Sequence, residues 1–151
     1  MKNLILLVCV FAFHFTKAQT KSDITPSANV RLSFLIFPFT PLLTVEVRTI
    51  GNLTLQFESN FVNTHGANLK YFINNRMDGH YVFMGIALVD NKLLREDGKT
   101  TFLPYAGYGY AHRFGHRRQW TFDSRIGIGP TTNADNNSIY PVIKTGVGYL
   151  F

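Results

Sequence analysis

Leu53-Thr54-Leu55-Gln56-Phe57-Glu58-Ser59-Asn60-Phe61 alternates residue by residue: Leu53, Leu55, Phe57 and Phe61 oppose Thr54, Gln56, Glu58 and Asn60. A period of two belongs to a β-strand, whose successive side chains leave opposite faces, and it excludes an amphipathic helix here. Before it, Leu43 to Thr49 repeats the pattern, with Leu43, Val45 and Val47 opposite Thr44, Glu46 and Arg48. Only Ile50-Gly51-Asn52 separates the two runs, so they predict a hairpin.

Toward the N-terminus, Val30, Leu32, Phe34 and Ile36 share a face opposite Arg31 and Ser33, which gives a first strand, and Pro38 and Pro41 interrupt before the second. Toward the C-terminus, the polar stretch Asn63 to Ala67 reads as a loop, Leu69 to Ile73 as a strand, Asn75 to Gly79 as a turn and His80 to Val89 as a fifth strand. Both faces of that strand are apolar. Small residues suit a crowded lumen, so Tyr81, Phe83, Gly85 and Ala87 are assigned inward and Val82, Met84, Ile86 and Leu88 outward. A charged loop (90–100), a Tyr/Gly-rich strand from Phe102 to Ala111, a turn at Gly115 to Arg118 and a strand from Trp120 to Gly129 follow. An Asn-rich loop (131–138) and Tyr140 to Phe151 complete an eight-strand pattern.

The connections after strands two, four and six read as short turns, and those after three, five and seven as longer and polar. That asymmetry predicts an all-β, eight-stranded antiparallel up-and-down transmembrane β-barrel with its turns in the periplasm. Arg31, Glu46, Arg48, Glu58, Lys70, Asp123, Arg125 and Lys144 fall opposite the apolar stripes, and the first seven are expected to form a charge network in the lumen, with Glu46 and Glu58 pairing with Arg31, Arg48, Lys70 or Arg125. Alternation alone fits a soluble barrel equally well. The two ends of the chain discriminate.

Lys2, an apolar stretch from Leu4 to Phe15 and a small residue at Ala18 predict a signal peptide over 1–18, cleaved after Ala18, with the barrel domain over 19–151. The one cysteine, Cys9, falls in that leader, so the mature chain has no thiol for a disulfide or a Cys-based metal site. Removing Lys2 and Lys17 with the leader reduces the formal charge from +6 to +4, and no basic helix accompanies it, which argues against a nucleic-acid partner. His65, His80, His112 and His116 are scattered, so no cofactor and no transition-metal site is expected, and calcium in the Asn133 to Asn137 loop is conceivable only.

The last eight residues, Lys144-Thr-Gly146-Val-Gly-Tyr149-Leu-Phe151, resemble the β-signal of bacterial outer-membrane proteins. That resemblance implies that Lys144, Gly146, Tyr149 and Phe151 are read by the barrel-assembly machinery through strand pairing. More widely, the chain looks like the small bacterial outer-membrane β-barrel families: Lys70-Tyr-Phe, continued at Gly79-His-Tyr-Val-Phe-Met-Gly85, resembles a strand–turn–strand of uncharacterised members. The resemblance implies residence in the outer membrane of a Gram-negative cell, lipids as partners and a monomer.

Small barrels that trim or transfer lipid A acyl chains carry Ser, His and acidic groups at the outer rim. His65, Asp90, Asp135 and Ser138 could converge there, but they match no triad spacing. Asp123 and Ser124 are consecutive in a strand and point to opposite faces, so they cannot both serve His112. No catalytic residue is assigned. The basic run His112-Arg113-Phe-Gly-His116-Arg117-Arg118 reads as a solvated turn whose arginines reach the interface. The expected role is structural or binding at the cell envelope, with a lipid A modifying enzyme and a narrow channel for small or hydrophobic solutes as alternatives.

Overall fold

The computed structural model describes residues 28–36, 40–74, 77–90, 100–130 and 139–151, so the leader expected over 1–18 lies outside the described residues. The strands are β1 (Ala28–Leu35), β2 (Thr40–Arg48), β3 (Leu53–Ser59), β4 (Thr64–Phe72), β5 (Gly79–Asp90), β6 (Thr100–Phe114), β7 (Trp120–Pro130) and β8 (Ile139–Leu150). Each pairs antiparallel with the next, and β8 pairs with β1 through Val30↔Tyr149, Arg31↔Gly148 and Ser33↔Gly146, so the eight strands close into a barrel. Closure removes every sheet edge.

The up-and-down order puts the connections after β2, β4 and β6 at the end that carries Ala28 and Leu150, here the turn end, and the other connections at the loop end. Two expectations need correction. The stretch expected to be a loop at Asn63 to Ala67 belongs mostly to β4, which starts at Thr64 and pairs Ser59↔His65 on one side and Thr64↔Val89 on the other. Pairing on both flanks overrides the low strand propensity of Gly66 and Asn68, and the connection after β3 shrinks to 60–63. The second correction concerns Pro41, which does not end a strand but lies in β2 opposite Phe34. Pairing with β3 begins only at Leu43, so one flank of the ladder is unpaired at Pro41 and can accommodate its missing N–H. Pro104 and Pro141 sit likewise, short of the first β6–β7 pair at Ala106 and of the last β1–β8 pair at Lys144.

Side chains sort by parity along every strand. Leu32, Leu43, Phe57, Leu69, Met84, Tyr108, Ile126 and Val147, one from each strand, are exposed on the outside, whereas Arg31, Thr44, Glu46, Gln56, Lys70, Asp123 and Lys144 are buried inside. Tyr81, Phe83 and Ala87 are buried and Val82, Met84, Ile86 and Leu88 exposed, which is the register assigned to β5. Space for the aromatic residues comes from glycine: a Cβ on Gly109, the cross-strand partner of Tyr81, would fall 2.3 Å from the Tyr81 ring.

The lumen is layered. At the turn end Phe72, Tyr81 and Ala111 pack with Met77, which enters from the β4–β5 connection, and Asn29 donates to Thr121 at 3.1 Å. At the loop end Leu35, Ala87, Val89, Leu103 and Val142 line a cavity of about 20 Å³, room for about one water molecule. The charges lie between.

Candidate functional site

Glu58 and Glu46 anchor two tiers of ions inside the barrel. In the tier nearer the turn end, Arg31 reaches Glu46 at 3.2 Å and Asp123 at 3.0 Å, while Lys70 reaches the same carboxylates at 3.2 and 2.8 Å. The Thr54 hydroxyl donates to Glu46 at 2.7 Å and the Tyr81 hydroxyl to Asp123 at 2.9 Å. In the tier nearer the loop end, Glu58 pairs with Arg125 and Lys144 and accepts from the Tyr105 hydroxyl at 3.1 Å. Gln56 joins the tiers: its carbonyl oxygen accepts from Arg31 at 3.3 Å and Arg125 at 3.2 Å, and its amide donates to Glu58 at 3.1 Å. All eight strands contribute a member.

This arrangement brings together Arg31, Glu46, Glu58, Lys70, Asp123 and Arg125, all buried. Arg48, the last residue of β2, instead donates from Nε to the Gly51 carbonyl at 3.0 Å and braces the β2–β3 turn. Four buried cations, counting Lys144, face three buried carboxylates. Removing such charges from water is costly, and attraction offsets that cost only with close pairing and hydrogen-bonded remaining atoms. The tiers meet most of that condition. Arg31 Nε, Arg125 Nε and both side-chain atoms of Asn68 have no hydrogen-bond partner among the described residues.

The four C-terminal residues divide between the faces. Lys144 is buried on Glu58, and a Cβ on Gly146 would lie 2.6 Å from Ser33 Oγ, so both have a packing role inside the barrel. Outside, Tyr149 contacts the Trp120 ring at 5.5 Å and the Phe151 ring at 5.1 Å, and the Phe151 N–H donates to the Ala28 carbonyl.

At the loop end, Ser59 Oγ and His65 Nδ1 are 2.9 Å apart, a hydroxyl and a base on paired residues of β3 and β4. Ser59 Oγ also accepts the N–H of Phe61, a residue held at φ 61°, while the N–H groups of Val62, Asn63 and Thr64 all turn to Asn60 Oδ1. Those donors are therefore committed within the turn rather than aimed at a reacting carbonyl. Asp135, Ser138 and the Asn133 to Asn137 loop lie outside the described residues, as does the Asp90 side chain. Asp123 is buried in the lumen while His112 is exposed outside, so the two belong to different surfaces. No group of three or more metal-ligating side chains converges among the described residues.

At the turn end, Asp78 accepts from Arg118 at 2.7 Å and from the Arg113 N–H at 3.2 Å, and Arg113 Nε donates to the Arg118 carbonyl. The β6 strand continues to Phe114, so His112 and Arg113 are strand residues and the turn proper begins at Gly115.

No protein-family model, curated protein or solved structure matches the chain. The site therefore rests on its own geometry. Sequence reasoning missed Gln56 and Tyr105 as network members, and it set Lys144 opposite the apolar stripes but assigned it to the terminal signal rather than to the network. It missed the Ser59–His65 contact because β4 was started five residues late.

Proposed function

We propose that the chain is an integral outer-membrane β-barrel with a structural or binding role at the cell envelope, exported by its N-terminal leader and carrying a plugged lumen. One observation carries this reading: the barrel is apolar outside and charged inside. Exposed large apolar residues come from every strand, whereas soluble monomers display isolated patches of about a few hundred Å². On β5 the outward residues run from His80 to Leu88. With a rise of about 3.4 Å per residue and a tilt of about 40°, they span roughly 20 Å, near the apolar band of a transmembrane barrel. Outer-membrane lipids and the barrel-assembly machinery are its proposed partners, the latter through Tyr149 and Phe151, and the barrel acts as a monomer. The ion tiers fill the lumen, which disfavours the narrow-channel alternative.

Electrophoresis of a carbonate-washed membrane fraction tests the proposal. The unboiled protein is expected to run faster than the boiled one; a single mobility with the protein in the soluble fraction would defeat the membrane reading.

A second reading, modification of lipid A, is favoured by the Ser59–His65 contact alone. The pair stands at the loop end, two residues along β3 from the exposed Phe57, where the ester of an outer-leaflet lipid would lie. Mass spectrometry of lipid A from cells with and without the protein checks it. An identical profile is expected; an acyl chain lost in a Ser59-dependent manner would establish the enzyme.

A further inference from the structure

The turn end carries a basic patch that the lumen and the rim do not explain. Arg113, Arg117 and Arg118 gather at the β6–β7 turn, where the carboxylate among the described residues is Asp78, engaged by Arg118 and by the Arg113 backbone and 3.8 Å from His112 Nδ1. Arg117 and His116 are exposed at the tip, and among the described residues Arg117 has no ion pair. Gly115 at φ 86° and Arg118 at φ 52° shape the turn, and the Arg118 N–H donates to the Gly115 carbonyl. The tip is thus a braced turn, not a loose segment.

Beside the patch is an outward aromatic collar. Tyr71, Tyr110, Phe114, Trp120, Tyr149 and Phe151 all lie at the turn end of their strands or just beyond. Their rings contact one another and the patch: Trp120 meets Tyr149, and Tyr110 stacks on His112 at 6.3 Å. Aromatic rings of this kind settle at the headgroup level of a bilayer, with the apolar body inward and the polar tip wet. Arginines one or two residues beyond such a collar fall in the plane of the lipid phosphates.

We propose that His112 to Arg118 forms a docking surface for anionic phospholipid headgroups of the leaflet at the turn end. The inference rests on the membrane reading above. Charge complementarity selects the occupant: among the described residues Arg117 makes no ion pair while Arg118 engages Asp78, so the exposed tip offers the Arg117 guanidinium to an anion, and planar guanidinium matches a phosphate diester with paired hydrogen bonds. The bilayer phosphates are the anions that the collar brings to that height. A zwitterionic headgroup offers the same phosphate with a compensating ammonium and binds less well.

The test is native mass spectrometry of the full-length barrel extracted from membranes, with phosphatidylglycerol or phosphatidylcholine added to the detergent. The unaltered protein is expected to retain phosphatidylglycerol preferentially. Arg117→Glu is expected to reduce that preference by at least about fivefold, the effect of one basic residue near an anionic surface. Because Arg117 makes no ion pair with the described residues, the variant is expected to keep its heat-modifiable mobility. Arg117→Lys, which keeps the charge, should retain most of the preference. Equal retention of the two lipids, or a preference that Arg117→Glu leaves unchanged, overturns the proposal. Arg117-dependent sedimentation with purified cell-wall sacculi, without lipid preference, overturns it in favour of an acidic wall polymer. Absence of the heat-modifiable form in the unaltered protein marks failure of the membrane reading itself, and the proposal falls with it.

Discussion

Glu58→Gln is expected to lower the unfolding free energy of the barrel by about 3–5 kcal/mol, the range for a buried ion pair that loses one partner. Among the described residues Glu58 is the only carboxylate in its tier, with Arg125, Lys144 and the Tyr105 hydroxyl converging on it. The amide keeps the shape but removes the charge, so two buried cations are left facing each other. A urea titration of the refolded protein, followed by fluorescence of Trp120, the one tryptophan of the chain, reads the change. With a slope of about 1–3 kcal/mol per molar urea, the midpoint should fall by at least about 1 M. Combining Glu58→Gln with Lys144→Met removes a cation along with the anion and should recover a large part of the loss. A single-variant effect below about 1 kcal/mol would mean that water reaches the tier and screens it.

The strands were legible because their outward and inward residues differ in polarity at nearly every step, as at Leu53 to Glu58. Where that contrast fades, the reading failed. Thr64-His65-Gly66-Ala67-Asn68 has no apolar stripe, since its inward positions face the Glu58 region and its outward His65 faces the rim, so only cross-strand pairing reveals it as strand. Most of the lumen charges were found by the same parity that found the strands. Parity left open which of Arg31, Arg48, Lys70 and Arg125 each of Glu46 and Glu58 meets, because it gives the face of a residue and not its height along the axis. Arg48 shares a face with Glu46 yet stands at the turn, and Lys144 shares a face with Gly146 yet closes on Glu58 from five strands away in the chain order.

The interior also bears on function. An aqueous pore needs polar walls separated by water, but here the polar groups meet across the axis and bond to one another, with Gln56 accepting from both tiers. Among the described residues, the surfaces open to other molecules are therefore the apolar belt, the loop end with Ser59 and His65, and the basic turn.

Met84→Arg is expected to reduce stability by about 2–4 kcal/mol in lipid vesicles, because an arginine on the lipid face near the bilayer midplane is strongly disfavoured. Met84 lies mid-way along β5 and is 61% exposed with its side chain outside the barrel. In a water-soluble barrel, the same substitution at so exposed a site would change stability by no more than about 0.5 kcal/mol. The two readings therefore differ by several-fold at one residue. Tyr110→Arg provides the depth control: it lies in the collar at the turn end, where an arginine reaches headgroups and the cost falls to about 0–1 kcal/mol. Unfolding titrations of both variants in vesicles check the prediction. A large effect at Met84 with a small one at Tyr110 is the depth profile of a membrane, since Tyr110, 41% exposed, is the more buried of the two within the protein and burial alone would give the opposite order. Small effects at both would leave the apolar belt facing something other than lipid, and the inverted polarity of this barrel would then require a protein partner large enough to encircle it.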